Sequence, residues 1–230
     1  MAQHIGIVAC SSEGAALCYR TVCLEGPQRL GPFAHPEVSM HTHSFASYMR
    51  CIESNDWPGV AELMLAAAHK LARAGADFLI CPDNTIHQAM PWVLRRTPLP
   101  WLHIAEVVAA YAVERGFHRL GLTGTRYLVD SEVYPDKLSA RAIAYARPTP
   151  AERAEINRII FAELVAGVFK AEAIGFFQRV MSRMKDEGCD AVVLGCTEIP
   201  LIMNDDNSPL PTLDSTRLLA RAALQRATAR

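Results

Sequence analysis

The chain has 230 residues, half of them hydrophobic, and its 23 Lys and Arg nearly balance 24 Asp and Glu, for a formal net charge of −1. That size and apolar fraction are enough for one large domain or two small ones with a full core. A near-neutral chain without a basic run argues against a dedicated nucleic-acid surface, and no apolar run approaches the roughly 18 residues of a membrane-spanning helix.

In chain order, His4 leads into Ile5–Ala9, an apolar run that reads as a first strand rather than as a secretory leader. Further strand-like runs are Glu37–His41, Asp77–Ile80, Leu99–Ile104, Arg119–Leu122 and Ala191–Leu194. Several are almost continuously apolar, as in strands covered on both faces. Helical patterns fill the gaps. One runs from Val60 to Arg73 and stops at Gly75. Thr149-Pro150-Ala151-Glu152 is a capping box with proline at the first helical position, which predicts a helix from there towards Gly167 or Lys170. Another is expected from about Glu172 to Glu187, stopping at Gly188, and Asp214 reads as the N-cap of a last helix ending near Arg226. The alternation predicts an α/β fold with parallel-rich sheets. The seven cysteines form no CxxC pair, so they read as reduced thiols of a cytoplasmic protein, most of them small buried hydrophobes.

Two stretches look like copies. Gly75-Ala76-Asp77 and a strand lead to Asp83-Asn84-Thr85; Gly188-Cys189-Asp190 and a strand lead to Cys196-Thr197-Glu198. Gly75 matches Gly188 and Asp77 matches Asp190, so Asp83 falls on Cys196 without a gap. His4–Cys10 likewise resembles Arg119–Thr125, and Gly6 precedes Asp83 by nearly the interval at which Gly121 precedes Cys196. Part of this similarity follows from α/β construction alone, since helix ends and strands both favour a Gly-x-Asp lead. The division expected is residues 1–105 and 106–215 as two pseudo-symmetric α/β domains with a site in the cleft between them. Residues 216–230 form a C-terminal helix packing back on the first domain. Ligands in open α/β sheets bind beyond the carboxyl ends of strands, where residues 10–12, 83–85, 125–126 and 196–198 all fall.

Two proton-transfer groups on such ends can flank one carbon. Removing a proton beside a carboxylate needs a placed base, donors for the developing oxyanion and, for inversion, an acid on the other face. Free Asp titrates near ~3.9 and free Cys near ~8.5, so an Asp83/Cys196 pair offers a ready base and a ready acid at neutral pH.

Leu194-Gly195-Cys196-Thr197-Glu198-Ile199-Pro200-Leu201 resembles the second active-site motif of the aspartate/glutamate racemase family. Gly121-Leu122-Thr123-Gly124-Thr125 and Pro211-Thr212-Leu213-Asp214-Ser215-Thr216 resemble two further segments of that family. Asp83-Asn84-Thr85-Ile86-His87 stands where most members carry Cys-Asn-Thr. The resemblance implies a cofactor-independent, dimeric enzyme acting on an amino acid or another small carboxylate, with two acid/base groups around the α-carbon. Cys196 is then the second group, and Asp83 replaces the first; Cys81 lies two residues upstream.

Other residues admit two readings each. Ser11 and Ser12 bind a substrate carboxylate, cap a helix, or do both, since the two roles are compatible, and Thr125, opposite number of Cys10, is read as a substrate contact. Asn84, Thr85 and Thr197 supply donors. Glu198 orients Cys196 or the substrate, or favours a helix start. Lys170 is a carboxylate anchor or a solvated helix lysine, and Arg50 fits that role less well. His41 and His43 form a His-x-His on an expected strand, with His43 as a pocket contact; no further zinc ligands are spaced to join them. His87 packs or hydrogen-bonds behind Asp83. Competing functions on the same scaffold are a decarboxylase, a cis–trans isomerase of a small dicarboxylate, and a catalytically silent binder.

Overall fold

The computed structural model describes residues 2–229. The chain forms two compact units, one running to Val107 and resuming at Thr216, the other comprising Val108–Ser215.

The first unit contains β1 (Ile5–Ala9), α1 (Ser12–Glu25), β2 (Val38–Thr42), α2 (Phe45–Glu53), α3 (Trp57–Arg73), β3 (Phe78–Ile80), β4 (Trp101–Leu102) and the start of α4 (Ile104–Glu114). Its sheet is parallel throughout, in the order β2-β1-β3-β4. β1 has its expected bounds, whereas the strand expected over Leu99–Ile104 shrinks to two residues. Pro98 and Pro100 have no N–H for a ladder, and Ile104 already belongs to a helix. α3 begins where the Asp56 carboxylate accepts from Gly59 N–H (2.9 Å), and it buries Val60, Met64, Leu65 and Leu71. It ends in Gly75, whose φ of +92° suits a residue without Cβ. Two residues on, the Asp77 carboxylate accepts from His4 N–H (2.7 Å) and ties the lead of β3 to that of β1.

The second unit contains β5 (Arg119–Thr123), β6 (Ala144–Ala146), α5 (Pro150–Ala162), α6 (Ala171–Asp186), β7 (Ala191–Leu194) and β8 (Thr212–Asp214). It too is parallel, in the order β6-β5-β7-β8. β6 and β8 are three residues each, too short to show a period. The capping box at Thr149 forms as expected, but α5 stops at Ala162 rather than near Gly167. Glu163 leaves helical geometry, its carboxylate held by Arg158 (2.8 Å) and Lys170 (3.4 Å), and Leu164–Ala166 make a single tighter turn. Gly188 (φ +87°) and Asp190 repeat the device of the first unit: the Asp190 carboxylate accepts from His118 N–H (2.6 Å) and Arg119 N–H (3.1 Å).

The final helix, α7 (Ser215–Thr228), follows Asp214 directly and belongs to the first unit from Thr216 onward. Leu219, Ala220 and Ala223 join Ile5, Ile7, Phe78 and Ile80 in one core. Each large apolar side chain buried there contributes about 1.5–3 kcal/mol. No helix among the described residues is long and apolar enough to cross a membrane, and all seven cysteines are free thiols.

Candidate active site

Because each sheet is parallel, the carboxyl ends of its strands share one edge. In the first unit that edge carries Cys10, Ser11, His43 and Asp83. Cys10 is buried. Ser11 is the N-cap of α1, its hydroxyl accepting from Gly14 N–H (3.3 Å), while Ser12 is the first helical residue and exposed. The Ser11 hydroxyl thus caps α1, a role compatible with a ligand contact.

Asp83 sits half-buried after β3. Its Oδ1 accepts from Ile86 N–H (3.2 Å), and its carbonyl takes a 2.7 Å bond from Nδ1 of buried His87. Ile104 N–H donates to Nε2 of that ring (3.3 Å), so Nδ1 carries the hydrogen and His87 is neutral. The imidazole thus joins the start of α4 to the Asp83 loop from behind. Asn84 is buried and precedes the short turn Thr85–Ala89, where Thr85 is half-buried. Cys81 is a different kind of thiol: fully enclosed, with burial and the neighbouring Asp83 charge pushing it well above the usual range. A thiol held protonated there is a poor base.

β2 ends at Thr42, so His43 lies just past the strand instead of on it with His41. The two rings meet edge-on, 4.7 Å between centroids. No group of three or more His, Cys, Asp or Glu among the described residues is arranged to hold a metal. Arg50 is exposed, bonded to Ser47 within its own helix (3.3 Å). The sequence reading missed Tyr48. It is completely buried on α2, and burial pushes its phenol up, with Cys81, Cys10 and Asp83 adding to the effect. Its spacing with Phe45 and Ile52 reads as an ordinary apolar helix face, so nothing in the sequence marks the hydroxyl.

In the second unit the corresponding edge carries Thr125 and the loop 196–198. Buried Thr125 caps a short helix through Leu128 N–H (3.3 Å). Cys196, Thr197 and Glu198 are all buried, and one oxygen, Oε2 of Glu198, accepts from both the Cys196 thiol and the Thr197 hydroxyl at 2.8 Å. Gly124 and Gly195 let this loop lie close to β5. Gly195 N–H donates to Thr123 O (3.0 Å), and a Cβ on Gly195 would come within 2.5 Å of that oxygen. Ser215 holds the strand from its other side, donating to Leu194 O (3.0 Å). Lys170 is not gathered into this loop; it is half-exposed, paired with Glu163, and lines a cavity of about 490 Å³ with Arg158 and Arg179.

These features define a class: an α/β protein of two units, each built on a parallel sheet and each carrying an ionisable side chain on the loop after a central strand. The model of the family described as Asp/Glu/Hydantoin racemase matches residues 7–223, and the chain belongs to that family. A solved Yersinia pestis protein, described as a candidate Asp/Glu racemase, is 28% identical with a TM-score of 0.91, over 99% of this chain and 100% of that one. PH1733, an aspartate racemase homologue of Pyrococcus horikoshii OT3, is 26% identical with a TM-score of 0.86 at the same coverage. The broad specificity amino-acid racemase RacX of Bacillus subtilis is 21% identical over 172 residues, 74% of this chain and 73% of that one.

Proposed function

We propose that the protein is a cofactor-independent racemase or epimerase of an amino acid or close analogue, with Asp83 and Cys196 transferring the α-proton on opposite faces. The observation that carries this reading is the shared placement of the pair. Gly6 lies opposite Leu79 and Gly121 opposite Val192 in register, so Asp83 and Cys196 follow equivalent strands at equivalent positions.

In this mechanism the Asp83 carboxylate takes the α-proton while the Cys196 thiol gives its own to the other face. Carbanion charge flows into the substrate carboxylate, met by donors from Asn84, Thr85, Ser12 and backbone N–H groups of the two loops. At rest the Cys196 thiol donates to Glu198, which fixes the sulfur, and the thiol releases that bond as its hydrogen passes to the substrate. The reverse direction starts with protonated Asp83 and the thiolate. Cys81 takes no part. The same reading has residues 1–105 and 106–215 as the working domains, 216–230 completing the first, in a cytoplasmic homodimer.

A carboxylate at position 83 disfavours decarboxylation, which needs an apolar pocket for its leaving carboxylate, and supports proton abstraction. The test is α-proton exchange into deuterated water across acidic, neutral and cyclic amino acids, read by NMR together with chiral analysis. Exchange with inversion is expected for at least one substrate. Release of CO₂ from a malonate, or binding with neither outcome, contradicts the proposal.

A further inference from the structure

The mechanism above leaves one polar array at the end of β2 unused. Tyr48 is 0% exposed, and its hydroxyl has no hydrogen-bond partner among the described residues. Nε2 of His43 is also buried and unpartnered, and the two rings lie 6.4 Å apart. A buried polar group left unmet costs about 1–3 kcal/mol, so two of them on neighbouring rings call for something that meets both.

Their hydrogen-bonding senses are fixed by neighbours. The Leu63 backbone raises the proton affinity of His43, as a carbonyl facing the ring does; inside α3 the Leu63 N–H is already used, so that carbonyl faces the other nitrogen and favours the hydrogen on Nδ1. Nε2 is then a bare acceptor. Burial and the charge of Lys70 lower the proton affinity of this imidazole and keep it neutral. Lys70 itself donates to Nε2 of His41 (2.8 Å), which leaves a cation beside the array. The Tyr48 phenol stays protonated and is a donor. The charges of Cys10, Cys81 and Asp83 all act on it, which sets it at the same strand-end edge as the proposed base.

One neutral donor beside one neutral acceptor discriminates by chemistry. A carboxylate would suit Tyr48 but face the lone pair of His43. An ammonium would meet the charge of Lys70. A plain alkyl chain would leave both groups unmet. A carboxamide offers a carbonyl to Tyr48 and an N–H to His43.

We propose that Tyr48 and His43 form the side-chain recognition site for an amino acid whose side chain ends in a neutral carboxamide. This rests on the racemase reading of the Asp83 loop, and the experiment separates the two. L-Glutamine, L-glutamate and L-norleucine are titrated into the wild-type protein and Tyr48→Phe. Two signals are followed: the ¹⁵N resonance of His43 Nε2, and α-proton exchange into deuterated water. Glutamine is expected to move the His43 resonance and to exchange fastest. Tyr48→Phe is expected to lose roughly tenfold of the preference for glutamine over norleucine, the worth of about one hydrogen bond. Its unliganded melting temperature is expected to hold or rise, since no bond is removed. An unchanged preference in Tyr48→Phe, or glutamate bound and exchanged as well as glutamine, overturns the proposal. Glutamine moving His43 without exchange keeps the recognition site and removes the racemase reading. Exchange with no preference removes the site and keeps the racemase.

Discussion

Asp83 and Cys196 occupy matching places but are held differently. Asp83 is fastened twice, its backbone carbonyl by His87 and its carboxylate by the Ile86 N–H. Cys196 is fastened by its side chain, through Glu198. The glycine before Cys196 matters as much as the thiol, because it allows the loop to lie against β5. In Gly195→Ala the new Cβ meets a backbone oxygen, which cannot swing aside as a flexible side chain would. The expected outcome is a loss of about 1–3 kcal/mol in chemical denaturation, typical of overpacking. Turnover should fall at least roughly tenfold, because about 1.4 kcal/mol of lost transition-state stabilisation suffices for that. An unshifted midpoint would show that the loop has slack. The placement of Cys196 and of Asp83 could be read from the sequence, since the repeat aligns without a gap. Glu198 was legible as a residue that orients Cys196 or the substrate; that a single oxygen of it serves both the thiol and the Thr197 hydroxyl was not, because this depends on how the loop turns rather than on which residues it contains.

At the scale of elements, the repeated Gly-x-Asp turns out to have a structural job. Gly75 and Gly188 end helices with positive φ, and Asp77 and Asp190 pin the lead of the neighbouring strand. That is why the lead was legible: both halves solve the same helix-to-strand problem with the same residues. β1 and β7 were legible from their continuous apolar runs. β6 and β8 were not, because three residues carry no period and their pairing is decided by the sheet they join. The segment from β2 into α2 has its own pH response. His41 and His43 both bind protons more weakly in the folded protein, mainly through burial, with Lys70 adding to it. As pH falls below about 6.5, the unfolded chain takes up those protons first. Stability is therefore full above that value, declines as pH drops through it, and levels off once the depressed folded values are passed. Melting temperatures between pH 7.5 and 5.5 should fall less steeply in a His41→Gln/His43→Gln variant than in the wild type. Equal slopes would show that these rings do not contribute.

At the scale of the whole molecule, two parallel four-stranded sheets share one topology, and the first unit is completed by the returning C-terminal helix. The family match runs over residues 7–223, almost the whole chain. Within the resemblance described above, the departure that bears on the chemistry is the carboxylate at position 83. The most direct test is α-proton exchange into deuterated water, measured separately on each enantiomer of the best substrate. The variants are Asp83→Asn, Cys196→Ser and Cys81→Ala. The account predicts that Asp83→Asn loses exchange of one enantiomer by at least about 10², that Cys196→Ser loses exchange of the other, and that Cys81→Ala exchanges both like the wild type. Full exchange of both enantiomers in Asp83→Asn, with loss in Cys81→Ala, would contradict it.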